Sequence, residues 1–283
     1  MPKIQAMFVG SLTLILLGLP AFSGLEITKV TVPRWIENGT KTSVVLDCEY
    51  SYSTEDRHLV VKWFLNNDPE PIYQWIPELH SRQPSYRLQD RINMSYTIFP
   101  SSEFTKYRAL KILRPTTDLS GKYTCNVASI ADEDSESQWM VIYVLPRKFE
   151  FNYTIVTEGS VNFTCEVDGV FPLPVLTVHL RSSSSPLHNA EKMHVQNSSS
   201  YYNGVYNVQV FLQLNDDELF PEEHIVECVL FIPGTDIKAK KTLHYFPSTA
   251  PKNNGKSPRD SRNHMIIVTG IVVMVVSDVF IKS

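Results

Sequence analysis

Short runs of alternating apolar and polar residues fill the first half of the chain, between about residues 25 and 144. Turn-forming clusters such as NNDP at residues 66–69 separate these runs, and no stretch of useful length has helical periodicity. Alternation with a period of two is typical of strands that bury one face. The clearest predicted strands are residues 43–50, 59–65, 109–113, 122–129 and 138–144.

The second half continues this pattern. Residues 203–214 alternate through NGVYNVQVFLQL, residues 224–232 read HIVECVLFI, and PGTD at residues 233–236 has the composition of a turn between strands. Many short strands separated by turns predict an all-β chain built from β-sandwiches. The length from residue 24 to residue 247 suits two domains of ordinary size.

The spacing of the cysteines identifies the first sandwich. Cys48 and Cys125 are 77 residues apart, and Trp63 lies between them in a predicted strand. This is the pattern of an immunoglobulin domain, in which a disulfide joins the two sheets and the Trp packs on it. Tyr123, two residues before the second Cys, takes the position of the tyrosine corner, whose hydroxyl bonds the backbone. The wide Cys spacing leaves room for the extra strands of the variable type.

The segment DLSGKYTC, residues 118–125, contains two further signature residues. Gly121 is expected to permit a tight turn into the strand of Cys125. Asp118 is expected to be held by a cation, for which Arg91 is the candidate, at the expected start of strand D.

The second pair, Cys165 and Cys228, is 63 residues apart, which fits the shorter constant type. Val178 and Val226 occupy the expected places of the Trp and the Tyr, so both signature contacts are missing. We therefore predict a variable-type domain at residues 24–145 and a second, constant-type-like immunoglobulin domain at residues 146–247. Pro146 stiffens the short joint, which predicts a restricted hinge.

The N-terminus predicts secretion. Residues 1–23 combine an early Lys, an apolar run and small residues near the end, which is typical of a signal peptide. In an oxidising compartment the four cysteines are expected to form two disulfides. The N-x-Ser/Thr sequons become candidate glycosylation sites, with asparagines Asn38, Asn93, Asn152, Asn162 and Asn197.

The C-terminal part of the chain predicts attachment to a membrane. A polar spacer at residues 248–264 precedes an apolar segment at residues 265–283 that Asp278 interrupts. As a helix, residues 265–281 would rise about 25 Å, less than the roughly 30 Å core of a bilayer. A glycolipid-anchor signal with attachment at Asn253 fits best. A marginal transmembrane helix and full secretion are the alternatives.

Charge and motif content exclude several function classes. The formal net charge is −4 without a basic stripe, which argues against nucleic-acid binding. The eight His residues are scattered, no cysteine pair has zinc-ligand spacing, and hydrolase or nucleotide-binding motifs are missing. We therefore predict no metal, no cofactor and no enzymatic activity, which leaves binding as the function.

Two parts of the first domain are candidate partner-binding sites. Asp132, Glu133 and Asp134 belong to an acidic run expected in the loop before the last strand, where variable-type domains recognise partners; a merely solvated loop is the alternative. Tyr73 and Trp75 alternate with isoleucines in PIYQWIP, residues 71–77. If these two aromatic rings face solvent, they form a patch suited to a protein interface; a core role is the alternative.

The stretches VKWFLNNDPEPIYQWIP and LKILRPTTDLSGKYTCNV resemble the membrane-distal domain of insect immunoglobulin proteins related to the beaten-path family. The shared layout is Trp63, a short turn, and an aromatic-rich strand with Tyr73 and Trp75 that ends at Pro77. The resemblance covers residues 25–145, and the second domain matches only loosely. It implies a secreted or anchored protein that binds immunoglobulin-domain receptors through the face formed by strands C, C′, F and G.

These observations predict a glycoprotein on the extracellular face of the plasma membrane. Its expected partner is another extracellular protein, an immunoglobulin-domain receptor, in cell adhesion, cell recognition or axon guidance. The alternative is a secreted or surface immune-type protein that recognises microbial or carbohydrate ligands. A contiguous aromatic sheet face would favour the first interpretation, and a deep pocket between loops the second.

Overall fold

The computed structural model describes residues 24–157, 159–182, 194–219 and 221–247, in which strands are the dominant regular structure. The expected signal peptide, polar spacer, apolar C-terminal segment and Asn253 lie outside the described residues. Within the described ranges, helices long and apolar enough to cross a bilayer are absent.

The first domain is a sandwich of two sheets. The smaller sheet has the order β1-β3-β7, and the larger has the order β2-β9-β8-β4-β5-β6. In standard lettering β3, β4, β5, β8 and β9 are strands B, C, C′, F and G, so the predicted variable type is confirmed. The strands are β1 (Glu26–Thr31), β2 (Trp35–Glu37), β3 (Ser43–Ser51), β4 (Val60–Leu65), β5 (Tyr73–Ile76), β6 (Ser81–Pro84), β7 (Leu110–Leu113), β8 (Gly121–Ala128) and β9 (Glu133–Tyr143).

The second domain has the sheet layout of the constant type. Its four-stranded sheet has the order β10-β11-β14-β13, or A-B-E-D, and its three-stranded sheet has the order β12-β15-β16, or C-F-G. A constant-type-like second sandwich is therefore confirmed. The strands are β10 (Lys148–Thr157), β11 (Ser160–Val170), β12 (Val175–Ser182), β13 (His194–Tyr202), β14 (Val205–Asn215), β15 (His224–Phe231) and β16 (Lys238–Tyr245).

The two predicted disulfides are confirmed, and each lies at the centre of a core. Cys48 joins Cys125, Cys165 joins Cys228, and all four are fully buried. Trp63 pairs with Cys125 across β4 and β8 and is also fully buried. In the second domain, Val178 pairs with Cys228 and leaves a smaller, aliphatic contact at that position.

The signature residues of the first domain meet at the turn before β8. Tyr123 Oη donates to the carbonyl oxygen of Leu119 at 2.8 Å, and Arg91 Nη1 donates to Asp118 Oδ2 at 2.7 Å. A regular strand D is not formed around Arg91, because only an isolated bridge joins the neighbouring residue to β7. Gly121 was expected to permit a tight turn. The structure gives a different reason for glycine here, because a Cβ at this position would collide with the side-chain amide of Asn66.

The joint between the domains is held by backbone bonds and apolar packing. Val144 and Phe171 form a bridge, with N–H···O distances of 2.9 and 3.2 Å in the two directions. Gly234, in the turn between β15 and β16, approaches Val141 so closely that an added Cβ would lie 2.6 Å from its Cγ2. Tyr143 joins residues of the second domain in one buried apolar cluster. We therefore infer that the hinge is stiff.

Candidate functional site

Tyr73 and Trp75 lie in the core of the first domain, so they do not form the conditional exposed patch and have the alternative core role. Each is only 2% exposed. The ring of Trp75 meets that of Tyr107 edge-on at 5.7 Å, and Tyr73 Oη donates to the carbonyl oxygen of Tyr107 at 3.2 Å. Burial raises the pKa of Tyr73 to about 12. The segment between β6 and β7 supplies these partners and turns the aromatic pair inward.

The acidic run is also placed differently from the prediction. Glu133 and Asp134 lie in β9 rather than in a loop, because the β8–β9 hairpin pairs Ala128 with Glu133. Asp134 Oδ2 accepts a hydrogen bond from the backbone N–H of Ile27 at 2.7 Å, so this carboxylate ties strand A to strand G. Only Asp132 of the three lies in the turn itself, which is too short to form an extended recognition loop.

The short turn is braced from the loop between β3 and β4. Ser129 Oγ donates to Asp56 Oδ1 at 3.1 Å, and the other oxygen of Asp56 accepts from the backbone N–H of Ser53 at 2.7 Å. The Ser53 bond lowers the pKa of Asp56. Hydrogen bonds therefore hold the β8–β9 turn against the loop between β3 and β4.

The side of the six-stranded sheet that faces away from the core is the surface best placed to meet a partner. Successive side chains on a strand point to opposite faces, so the residues between the buried ones belong to this side. Cross-strand pairing sets Phe64 beside Thr124 and Thr124 beside Ser137. We call the set the outer face: Lys62, Phe64, Gln74, Lys122, Thr124, Ser137 and Trp139.

Trp139 is the prominent residue of the outer face, and the sequence reasoning missed it. Its side chain is 64% exposed, whereas Met140 and Ile142 on the same strand are fully buried. The signal was available, because residues 138–144 were predicted as a strand and Trp139 is out of phase with Met140. Phe64 is half-buried two strands away, with Lys122 and Thr124 on the strand between them.

This composition suits contact with a protein. Exposed Trp is rare and is enriched among the residues that dominate binding energies at interfaces. The surrounding Lys, Thr, Ser and Gln side chains supply the polar groups that surround such an anchor. The outer face can therefore bury an aromatic centre against a partner while its edges remain hydrated.

None of the five sequon asparagines belongs to the outer face, although Asn38 follows an edge strand of the same sheet. Those in strands belong to the second domain: Asn152 on β10, Asn162 on β11 and Asn197 on β13. Asn38 is exposed in the turn after β2, and Asn93 lies beside the bridge to β7, with its backbone N–H bonded to Lys111. Glycans on Asn152, Asn162 and Asn197 would therefore lie on the second domain and not on the strands of the outer face.

Comparison with known proteins supports the fold. No family model matches the chain, and no curated protein matches it. The crystal structure of bovine butyrophilin aligns with a TM-score of 0.53 at 12% identity, covering 76% of this chain and 95% of that chain. The extracellular portion of mouse CD200RLa aligns with a TM-score of 0.41 at 14% identity, covering 76% of this chain and 96% of that chain. At these identities, the butyrophilin match shows the immunoglobulin-like fold alone.

Proposed function

We propose that the protein is a cell-surface recognition protein that binds another extracellular protein through the outer face of its first domain. The observation that carries the proposal is Trp139, a large aromatic side chain that is 64% exposed on the outer face, whose other members are polar except for the half-buried Phe64. Exposure of this apolar ring to water is unfavourable, so its burial against a partner would contribute favourable free energy to binding.

Two further observations support this assignment. Three of the five sequons lie on strands of the second domain, so glycans there are compatible with docking on the outer face. Two of the three carboxylates of the acidic run are engaged within the fold: Asn126 Nδ2 donates to Glu133 Oε1 at 2.6 Å, and Asp134 Oδ2 accepts a hydrogen bond from Ile27 of β1.

The resemblance to beaten-path-related proteins refines the proposal. It favours an immunoglobulin-domain receptor as the partner and a role in cell adhesion, cell recognition or axon guidance. The C-terminal sequence favours a glycolipid anchor attached at Asn253. Treatment of expressing cells with a phosphoinositide-specific phospholipase tests the anchor, since release of the protein supports it and retention excludes it.

The binding proposal is tested with the full chain displayed on cells. Tagged ectodomains of extracellular proteins are screened for binding by flow cytometry, and the affinity of each hit is then measured for variants. Trp139→Ser should weaken binding by about 30-fold or more, since an interface anchor contributes about 2 kcal/mol or more. The matched control is Ile155→Ser, because Ile155 is apolar and 70% exposed but lies on the second domain.

Equal binding by the wild type and the Trp139→Ser variant would exclude the outer face as the contact surface. An affinity loss with Ile155→Ser alone would place the contact on the second domain instead.

A further inference from the structure

Two sequons of the second domain lie side by side on neighbouring strands. In the antiparallel pairing of β10 with β11, Asn152 is opposite Thr164 and Thr154 is opposite Asn162. Each Asn therefore faces the Thr that completes the other sequon. All four side chains are on the same side of the A-B-E-D sheet, which faces away from the core, because Phe151, Val161 and Phe163 between them are buried.

The two asparagines differ in their surroundings, and the Oδ1 of Asn162 is buried without a hydrogen-bond partner among the described residues. Asn152 is exposed and Asn162 is half-buried. On its other side Asn162 pairs with Gln213 of β14, so its cross-strand neighbours are a short Thr and a flexible amide. An open polar groove, whose lining includes Glu166, Asp168 and Asn207, continues along the same side of the sheet.

One aromatic ring interrupts this polar surface. Phe211 of β14 pairs with Thr164, and it points away from the core because Val210 and Leu212 on either side are buried. It is half-buried in spite of this orientation. Asn162 is its diagonal neighbour, and diagonal pairs lie about 7–8 Å apart, within reach of aromatic side chains. The C–H groups of a sugar ring pack favourably on an aromatic face of this kind.

We propose that Asn152 and Asn162 both carry N-linked glycans and that the first sugar on Asn162 packs against Phe211. Two glycans on adjacent strands then cover the outward side of the A-B-E-D sheet together with its groove. This side of the second domain is thus closed to protein partners. The inference is independent of the role assigned to Trp139.

Occupancy is tested on the full chain produced in animal cells. The glycans are released by peptide N-glycosidase in heavy-oxygen water, which converts each modified Asn to a labelled Asp, and the peptides are analysed by mass spectrometry. Label at both Asn152 and Asn162 in the same molecules is the expected result. An unlabelled Asn162 in the folded, secreted protein would overturn the proposal.

The contact with Phe211 is tested by a matched pair of substitutions. Thr164→Ser and Thr164→Ala both remove the methyl group, and the Ala variant also removes the hydroxyl, which destroys the sequon of Asn162. Thr164→Ala should melt about 2–8 °C below Thr164→Ser, a shift that corresponds to one modest packing contact in a domain of this size. In a Phe211→Thr background the two variants should melt at the same temperature.

Two results would count against the sugar–ring contact. One is equal melting of the Thr164 variants in the presence of Phe211, and the other is a difference between them that persists after Phe211 is replaced. Mass spectrometry of each variant verifies the glycan, so a folding defect and a lost sugar are distinguishable.

Discussion

Two of the four tryptophans of the first domain lie on opposite sides of one sheet, and their truncation should reduce stability to very different extents. Trp75 on β5 is 2% exposed and packs with the core, whereas Trp139 on β9 is 64% exposed on the outer face. The perturbation is the same in chemistry, Trp75→Ala and Trp139→Ala. It removes the same atoms from the same domain, so any difference reports the environment alone.

The expected magnitudes follow from burial. Replacing a fully buried Trp by Ala costs about 3–5 kcal/mol, because transfer free energy is lost and a cavity remains. Trp75 also loses its edge-on contact with Tyr107, which places it at the upper end of that range. Truncation of an exposed residue changes stability by about 0.5 kcal/mol or less. The Trp75→Ala variant should therefore melt at least 10 °C or so below the Trp139→Ala variant.

Purified ectodomains of both variants are compared with the wild type by calorimetry and by urea denaturation. Two transitions are expected if the domains melt separately, and only the transition of the first domain should move. Secretion yield provides a second readout, since a loss of several kcal/mol removes much of the stability of a domain. A Trp139→Ala variant that is destabilised as strongly as Trp75→Ala would refute the assignment of faces.

Three further substitutions probe contacts described above. Tyr123→Phe removes the tyrosine-corner hydrogen bond and should cost about 1 kcal/mol in urea denaturation. Asp56 has a lowered pKa in the folded state, so it stabilises the fold above its unfolded pKa of about 3.9, and that contribution is lost as the pH falls through the folded pKa. Melting curves of Asp56→Asn should therefore depend less on acidic pH than those of the wild type. Glu227 is buried and binds Lys240 at 2.6 Å; Glu227→Gln should cost about 1–3 kcal/mol, since the cation is half-exposed and partly screened.

Each of these expectations has a result that would contradict it. Wild-type stability of the Tyr123→Phe variant would show that the hydroxyl bond contributes nothing net. Parallel acid melting of the wild type and the Asp56→Asn variant would mean that the carboxylate is not preferentially ionised in the fold. A Glu227→Gln variant more stable than the wild type would show that desolvation of this carboxylate outweighs its ion pairs.

The architecture could be predicted from the sequence because the immunoglobulin fold places its signature residues at characteristic distances along the chain. Cys48, Trp63, Tyr123 and Cys125 occupy the positions that an inter-sheet disulfide and its packing partners require. The type of the second domain followed from the distance between its cysteines, although Val178 and Val226 replace the aromatic signature. These residues all lie on strands whose alternation is strong.

The candidate site was harder to predict, because its orientation depends on distant segments. Tyr73 and Trp75 alternate with equally apolar isoleucines, so local pattern could not decide which pair faces inward. Tyr107, more than thirty residues away in sequence, decides it by supplying contacts on the inner side. Similarly, the acidic composition of residues 131–137 masked the continuation of β9, where pairing with β8 outweighs the low strand propensity of Glu and Asp.

The bridge between Val144 and Phe171 has a consequence for how the molecule samples space. If the joint were flexible, the first domain would adopt many orientations relative to the second. Binding of a partner would then have to restrict the first domain to one of them. Because the joint is stiff, the orientation of the second domain also determines the direction in which the outer face points. A rotation of the second domain therefore rotates the outer face with it, and it changes the angle at which a partner can approach Trp139.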